Sequence, residues 1–230
     1  MDNKYAIGID LGTSNSSISI YKDEDVKVIP DPSTKSPVVP SLVALNKRNE
    51  LIVGSRAKSY VDLPEQGVRE VKRLMGTDKE ISLKEEKYSP EEVSALILKK
   101  LKYNAEQTMD IDIKDVVVSI PANFPDSARQ ATKRAVLNMI NMINEPTAAE
   151  LAFGIDEIGV EEDLLVFDWG GGTLDIAILE MFAGVLDVKA TYGDRELGGK
   201  DFDQALMDLV IEKFRRENKN AIINEKAKYD

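Results

Sequence analysis

Leu164-Leu165-Val166-Phe167-Asp168-Trp169-Gly170-Gly171-Gly172-Thr173-Leu174-Asp175-Ile176-Ala177-Ile178 runs from an apolar segment through an acid and three consecutive glycines into alternating apolar and polar residues. Short apolar runs on either side of a glycine cluster spell a hairpin. Three glycines free the backbone to adopt positive φ, so nothing but main chain occupies the turn. A bare turn of amide N–H groups beside a carboxylate suits an anion that arrives with a divalent cation, because the amides face phosphate oxygens and the carboxylate takes the metal or its waters. The stretch therefore reads as a nucleotide-phosphate hairpin. Taken alone, it is equally compatible with a glycine-rich turn that binds nothing.

A second copy lies near the start. Tyr5-Ala6-Ile7-Gly8-Ile9-Asp10 is a strand, Leu11 to Asn15 a turn, and Ser17 to Tyr21 a strand with Ile18 and Ile20 on one face. Placing Asp10-Leu11-Gly12-Thr13 on Asp168-Trp169-Gly170-Gly171 puts an acid at the end of an apolar strand in both, followed by an apolar residue and a small-residue turn. Each copy continues into a further strand, Val26 to Ile29 and Val185 to Ala190. Two related halves, each with one phosphate turn, would face each other across a cleft.

Composition narrows the chemistry. The 230 residues allow one large or two small domains, and 43% are hydrophobic. Lys and Arg number 30 against 41 Asp and Glu, a formal charge of -11, which argues against nucleic acid or an anionic membrane as the main partner. There is no Cys and no His, so disulfides, thiolate catalysis, cysteine zinc sites and imidazole bases are excluded. Chemistry must come from Asp, Glu, Lys, Arg, Thr and backbone. Met1-Asp2-Asn3-Lys4-Tyr5 lacks the pattern of a signal peptide, and no apolar run approaches the ~20 residues of a membrane span; a cytoplasmic protein is expected.

Between the copies, Asp31 to Pro37 is a turn-rich loop, Ser41 to Leu45 and Leu51 to Val53 are strands, and Ser55 to Val61 forms a short helix. Apolar residues at 68, 71, 74 and 75 predict an amphipathic helix across Gly67 to Gly76, with Lys72 and Arg73 as solvated charges on its outer face. Ser89-Pro90-Glu91-Glu92 starts a helix with a capping box, running to about Met109 with Val93, Leu96, Ile97 and Leu101 on one face. Val116 to Ile120 is a buried strand stopped by Pro121, and a helix from Pro125 through Thr132 toward Ile140 makes an α/β unit with it. Glu145 opens a short helix, either as an ordinary first-turn acid or as a carboxylate at the mouth of the cleft. Ile155 to Asp163 reads as an exposed acidic loop, and Gly193 to Asp203 as a glycine-rich turn entering a helix from Asp203 to about Glu217. Ala221 to Asp230 is charged and carries no pattern.

Seven ordered blocks resemble the nucleotide-binding domain of the DnaK-type heat-shock-seventy chaperones, in the actin and sugar-kinase superfamily. They are Ile7 to Ser16, Val71 to Gly76, Ser119 to Ala122, Arg129 to Thr132, Ile143 to Ala149, Phe167 to Thr173 and Leu197 to Asp203. The resemblance implies an α/β actin-like (ribonuclease H-like) mixed sheet flanked by helices. It makes 1–163 lobe I, with an inserted subdomain near 38–112, and 164–230 the beginning of lobe II. It implies ATP or ADP as ligand with Mg2+, and K+ as a further cation. Gly12, Thr13, Ser14 and Asn15 match the first phosphate loop, and Gly170, Gly171, Gly172 and Thr173 the second; Gly198 and Gly199 match a further nucleotide-side turn. Asp10 and Asp168 match acids that hold hydrated magnesium, Glu145 an acid near the metal, and Asp175 one that helps hold monovalent cations. Lys72 matches a lysine that orients the attacking water, against its reading as a solvated charge, and Thr173 a hydroxyl at the terminal phosphate. Pro121 and Arg129 match a pair that relays nucleotide state to a peptide-binding domain. Implied partners are unfolded client polypeptides, a J-domain co-chaperone and a nucleotide-exchange factor, in a stress-response ATPase. Hydrolysis of this kind needs positioning and electrostatics rather than a covalent intermediate, which suits a chain without His or Cys.

The departures from the family pattern are specific. Trp169 stands for leucine, Asn123 and Pro125 replace an aromatic and a polar residue, Glu150 stands where alanine is usual, and Arg134 to Ile143 is about one helical turn short. The family's remaining lobe II, peptide-binding domain and lid have no counterpart in these 230 residues, so weak or no ATPase activity is expected of the chain in isolation. The competing readings are a non-enzymatic interaction module and a small-molecule kinase of the same superfamily; the kinase should lack the Lys72-Arg73 and Asn144 to Ala149 blocks, which are present.

Overall fold

The structure, a computed structural model, describes residues 5–135, 139–154, 162–182 and 185–218. The expected acidic loop lies almost wholly outside these residues, as do the charged end from Ala221 and part of the short segment after Arg134.

The first hairpin pairs β1 (Ala6–Asp10) antiparallel with β2 (Asn15–Lys22), and β3 (Asp25–Val28) continues the sheet. Ile7, Ile9, Ile18 and Ile20 alternate into the core, as the period of two requires. The two-residue strand β4 (Val39–Pro40) borders β2. Strands β5 (Leu42–Leu45), β6 (Leu51–Val53) and β7 (Gly67–Arg69) form a separate antiparallel sheet in the order β6-β5-β7. Of the helix expected at Ser55 to Val61, only Ser55 to Ala57 are helical, within the single 3-10 turn Gly54–Ala57.

The helix predicted across Gly67 to Gly76 is half strand. Gly67 lies against the Val61 backbone, where a Cβ would collide, and its strand completes the edge of β5. Glu70 then turns the chain in the left-handed conformation, φ 59°, into the one-turn helix α1 (Val71–Leu74). Val71 and Met75 face the core as expected; the pairing with β5 outweighs the helical spacing of the apolar residues before Glu70.

After the small hairpin of β8 (Ile81–Leu83) and β9 (Glu86–Tyr88), α2 (Pro90–Met109) begins with the full capping box. Val93, Ile97 and Leu101 pack on the main sheet. Next, β10 (Val116–Ile120) pairs parallel with β1, and α3 (Asp126–Ala135) leads to β11 (Met139–Asn144), parallel with β10. Residues expected to extend α3 toward Ile140 therefore supply a strand, because Met139 to Asn144 fills the open edge of β10. The main sheet runs β11-β10-β1-β2-β3. From β11 the chain passes directly into α4 (Glu145–Gly154).

The second hairpin, β12 (Glu162–Trp169) and β13 (Leu174–Phe182), joins β14 (Val185–Asp194) in a three-stranded antiparallel sheet. Here α5 (Gly199–Glu217) begins four residues earlier than the apolar pattern suggests. Its first amides are held by the glycine turn, as described below. This α/β architecture, a mixed sheet flanked by helices, agrees with the fold class expected from the sequence.

Candidate functional site

The two glycine turns meet. A Cβ on Gly171 would strike the Ser14 side chain, and one on Gly172 would strike Thr13. Glycine is therefore required here by close approach across the gap rather than by turn geometry alone. Between the turns and the strands that carry them lies a cleft of about 460 Å³. Its walls bring together Asp10, Gly12 to Asn15, Lys72, Glu145, Asp168 and Gly170 to Thr173. Ser119, Ala148 and Ala149 also line it.

The second turn is held from behind. Gly170 N–H donates to the Thr173 carbonyl at 2.9 Å, which closes the turn. Gly199 N–H donates to the Gly170 carbonyl and Lys200 N–H to the Gly171 carbonyl, both at 3.1 Å. Arg73 donates to the Gly172 carbonyl through Nε at 2.9 Å and Nη2 at 2.5 Å. In a trans peptide the carbonyl and the following N–H point in opposite directions, and no peptide here is cis. Three consecutive carbonyls directed at α5 and Arg73 thus turn the N–H groups of Gly171, Gly172 and Thr173 the other way. Successive amides on one side form a concavity for anionic oxygens. The first turn follows the same plan: Ser41 Oγ donates to the Gly12 carbonyl at 2.7 Å, directing the Thr13 N–H oppositely, and Ser41 N–H donates to the Ser14 carbonyl at 2.9 Å.

Acids stand at the ends of the strands. Asp10 ends β1 in register with Ser119 of β10, whose hydroxyl donates to Asp10 Oδ1 at 3.0 Å. Asp168 lies opposite Asp175 in the second hairpin. Glu145, the first residue of α4, accepts from Lys72 Nζ at 2.6 Å. The reading of Lys72 as a solvated charge is corrected: its side chain is 5% exposed and Glu145's 13%. Arg73 is likewise drawn inward, to Gly172 and Asp201. Burial pushes the Glu145 carboxyl up to about 6, against the pull of Lys72 and with the help of the Asp10 and Asp168 charges. Burial also raises Asp168, again opposed by Lys72 and reinforced by Asp10.

Some expected site residues stand elsewhere. Gly198 and Gly199 do not line the cleft; Gly198 packs on the Gly171–Gly172 backbone so closely that no side chain would fit. Asp175 lies behind the turn, 1% exposed, with Oδ1 lacking a hydrogen-bond partner among the described residues, and burial raises its carboxyl. Pro121 is buried outside the cleft. Arg129 donates to the carbonyls of Ala122 and Phe124 at 3.1 and 3.2 Å and to Asn144 Oδ1 at 3.1 Å, tying the loop after Pro121 to the residue before Glu145. Nothing in the sequence marks Ser41, because its part depends on a contact 29 residues away in the chain. For Ser119 the signal is its place near the end of a strand parallel to β1, in register with Asp10.

The donor set fits a hydrated divalent ion. Among the described residues no three acidic side chains converge as a cage for a bare ion. Asp10 and Asp168 face one cleft from opposite hairpins, the arrangement suited to a metal that keeps its waters and shares its charge with phosphates.

A sequence profile described as Hsp70 protein matches residues 6–230. "Chaperone protein DnaK" of Thermotoga petrophila is 48% identical over 221 residues, covering 94% of this chain and 37% of that protein. The protein of the same description from Thermotoga maritima matches equally, and that of Thermosipho africanus is 46% identical over 226 residues, covering 95% of this chain and 38% of its own. The chain thus spans well under half the length of these relatives.

Proposed function

The chain belongs to the Hsp70 family, and from that premise we propose that its cleft binds the phosphates of ATP or ADP with Mg2+ as the nucleotide-hydrolysing part of a chaperone. The observation that carries this reading is the row of three glycine carbonyls fixed away from the cleft, which leaves the amides of Gly171, Gly172 and Thr173 for phosphate oxygens. In the reading, 1–163 is lobe I, with an insertion near 38–112, and 164–230 begins lobe II. Asp10 and Asp168 would hold the magnesium, and Asp175 would contribute to a monovalent cation site. When bound, magnesium supplies charge neutralisation between the phosphates. Among the described residues lining the cleft, Lys72 carries the only positive charge. Its place beside Glu145 lets it orient a water and stabilise charge on the transferring phosphoryl group, with Thr173 at the terminal phosphate. Glu145 holds Lys72 in that place through its hydrogen bond to Nζ.

The same reading gives Arg129 and the Pro121 loop the relay of nucleotide state, through the contact with Asn144 beside Glu145. Unfolded polypeptides, a J-domain co-chaperone and an exchange factor are the partners it requires, in the cytoplasm.

The test is Lys72→Ala in a polypeptide extended to the length of the DnaK relatives. ATP affinity should stay within a few-fold while the hydrolysis rate falls by about 10²-fold or more, since a charge that acts on the transition state is lost. Equal loss of binding and hydrolysis would assign Lys72 to structure alone. Failure of the extended wild type to bind nucleotide would overturn the reading.

A further inference from the structure

Of the three carbonyls that shape the second turn, two are held by backbone amides of α5, from the same half of the molecule. The third, Gly172, is held by a side chain from the other half. Arg73 forks: Nε and Nη2 reach Gly172, while Nη1 and Nη2 reach the Asp201 carboxylate at 3.2 and 2.5 Å. Asp201 in turn accepts from Gly198 N–H at 2.7 Å, securing the start of α5. On the near side, Glu70 lies 3.6 Å from Arg73 and is hydrogen-bonded to Lys200. The charges alternate along the seam, Lys200, Glu70, Arg73, Asp201, and both Glu70 and Arg73 are only 16% exposed. Lys72, the neighbour of Arg73 on the single turn of α1, points into the cleft toward Glu145. One turn of helix thus serves both the front and the back of the site.

We propose that Arg73 is a positioning residue that sets the Gly172–Thr173 peptide for phosphate, and that Glu70, Arg73, Asp201 and Lys200 form a charged clasp joining α1 to the second glycine turn. The inference rests on the reading of the cleft as a phosphate site. Its logic is local: the fork fixes where the Gly172 carbonyl points, and the planar peptide then fixes the Thr173 N–H. Lysine at 73 keeps the charge but lacks the planar fork that engages carbonyl and carboxylate together. Trp169, the single tryptophan, reports on the same junction, because it stacks edge-on against Phe202 at 4.8 Å, one residue beyond Asp201.

The test uses Arg73→Ala, Arg73→Lys and the charge reversals Glu70→Lys and Lys200→Glu, singly and together, in the 230-residue chain. Ligand-free amide exchange at 171–173 and 199–201 and Trp169 emission are read first, then Mg-ATP affinity by calorimetry. Both Arg73 variants should exchange faster at these amides and bind Mg-ATP about tenfold more weakly, the scale of a lost hydrogen bond to a charged group. Each single reversal should loosen the seam, and the double reversal should recover part of the loss, since it rebuilds the 70–200 pair while setting a cation against Arg73. Wild-type exchange and affinity in Arg73→Ala would overturn the proposal. If Arg73→Ala fails to fold, the reversal pair decides, and a double reversal no better than the singles overturns the clasp. If the wild type extended to the length of the DnaK relatives binds no nucleotide while Arg73→Ala still exchanges faster, the clasp stands and the phosphate reading falls.

Discussion

Glu150 sits on α4, 4% exposed, with neither carboxylate oxygen hydrogen-bonded among the described residues. Burial therefore holds its carboxyl above the ordinary value of 4.5. A carboxyl raised in the folded state is protonated there at pH values where the unfolded chain has already released its proton. Its contribution to stability is thus most favourable below pH 4.5 and declines as pH rises toward the folded value. Glu150→Met keeps the side-chain length and removes the unsatisfied acid. It should raise unfolding free energy at pH 7 by about 1–3 kcal/mol, with a smaller gain near pH 4, as measured by urea unfolding across pH. A gain that does not grow with pH would contradict this account. The residue scale also shows where pattern reasoning stops. Asp10 and Asp168 are legible because each ends an apolar strand before a small-residue turn. Lys72 and Arg73 read as solvated charges because their partners, Glu145, Gly172 and Asp201, lie 73 to 128 residues away.

At the scale of elements, local chemistry predicts well where it is self-contained. The start of α2 is an example: Glu92 N–H donates to Ser89 Oγ at 3.2 Å, and Ser89 N–H to Glu92 Oε2 at 2.8 Å. Ser89→Ala removes half of that box and should cost about 1 kcal/mol, lowering the thermal midpoint by roughly 2–4 °C for a chain of this size; an unchanged midpoint would show that packing on the sheet alone holds this end. The two hairpins are legible for the same reason, since strand, acid and turn adjoin in the chain. Expectations fail where a distant strand edge recruits a segment. Gly67 to Arg69 goes to β5 and Met139 to Asn144 to β10, although helical spacing or a preceding helix suggests otherwise. The early start of α5 has a like cause: Gly199 and Lys200 spend their amides on Gly170 and Gly171.

At the scale of the molecule, the paired hairpins imply a cleft, and the structure places the two turns within side-chain contact across it. What pairing alone leaves hidden is the backing: Ser41 behind one turn, α5 and Arg73 behind the other. These supports make the amide rows face inward, and they come from segments whose spacing in the chain says nothing of their meeting. Amide resonances of 12–14 and 171–173 followed by NMR during titration of Mg-ATP test the central claim, that both turns hold one nucleotide's phosphates. Both sets should shift together with a single affinity, and Gly172→Val, which would strike Thr13, should abolish the shifts in both. Millimolar Mg-ATP that moves neither set, or moves one and leaves the other, would contradict it.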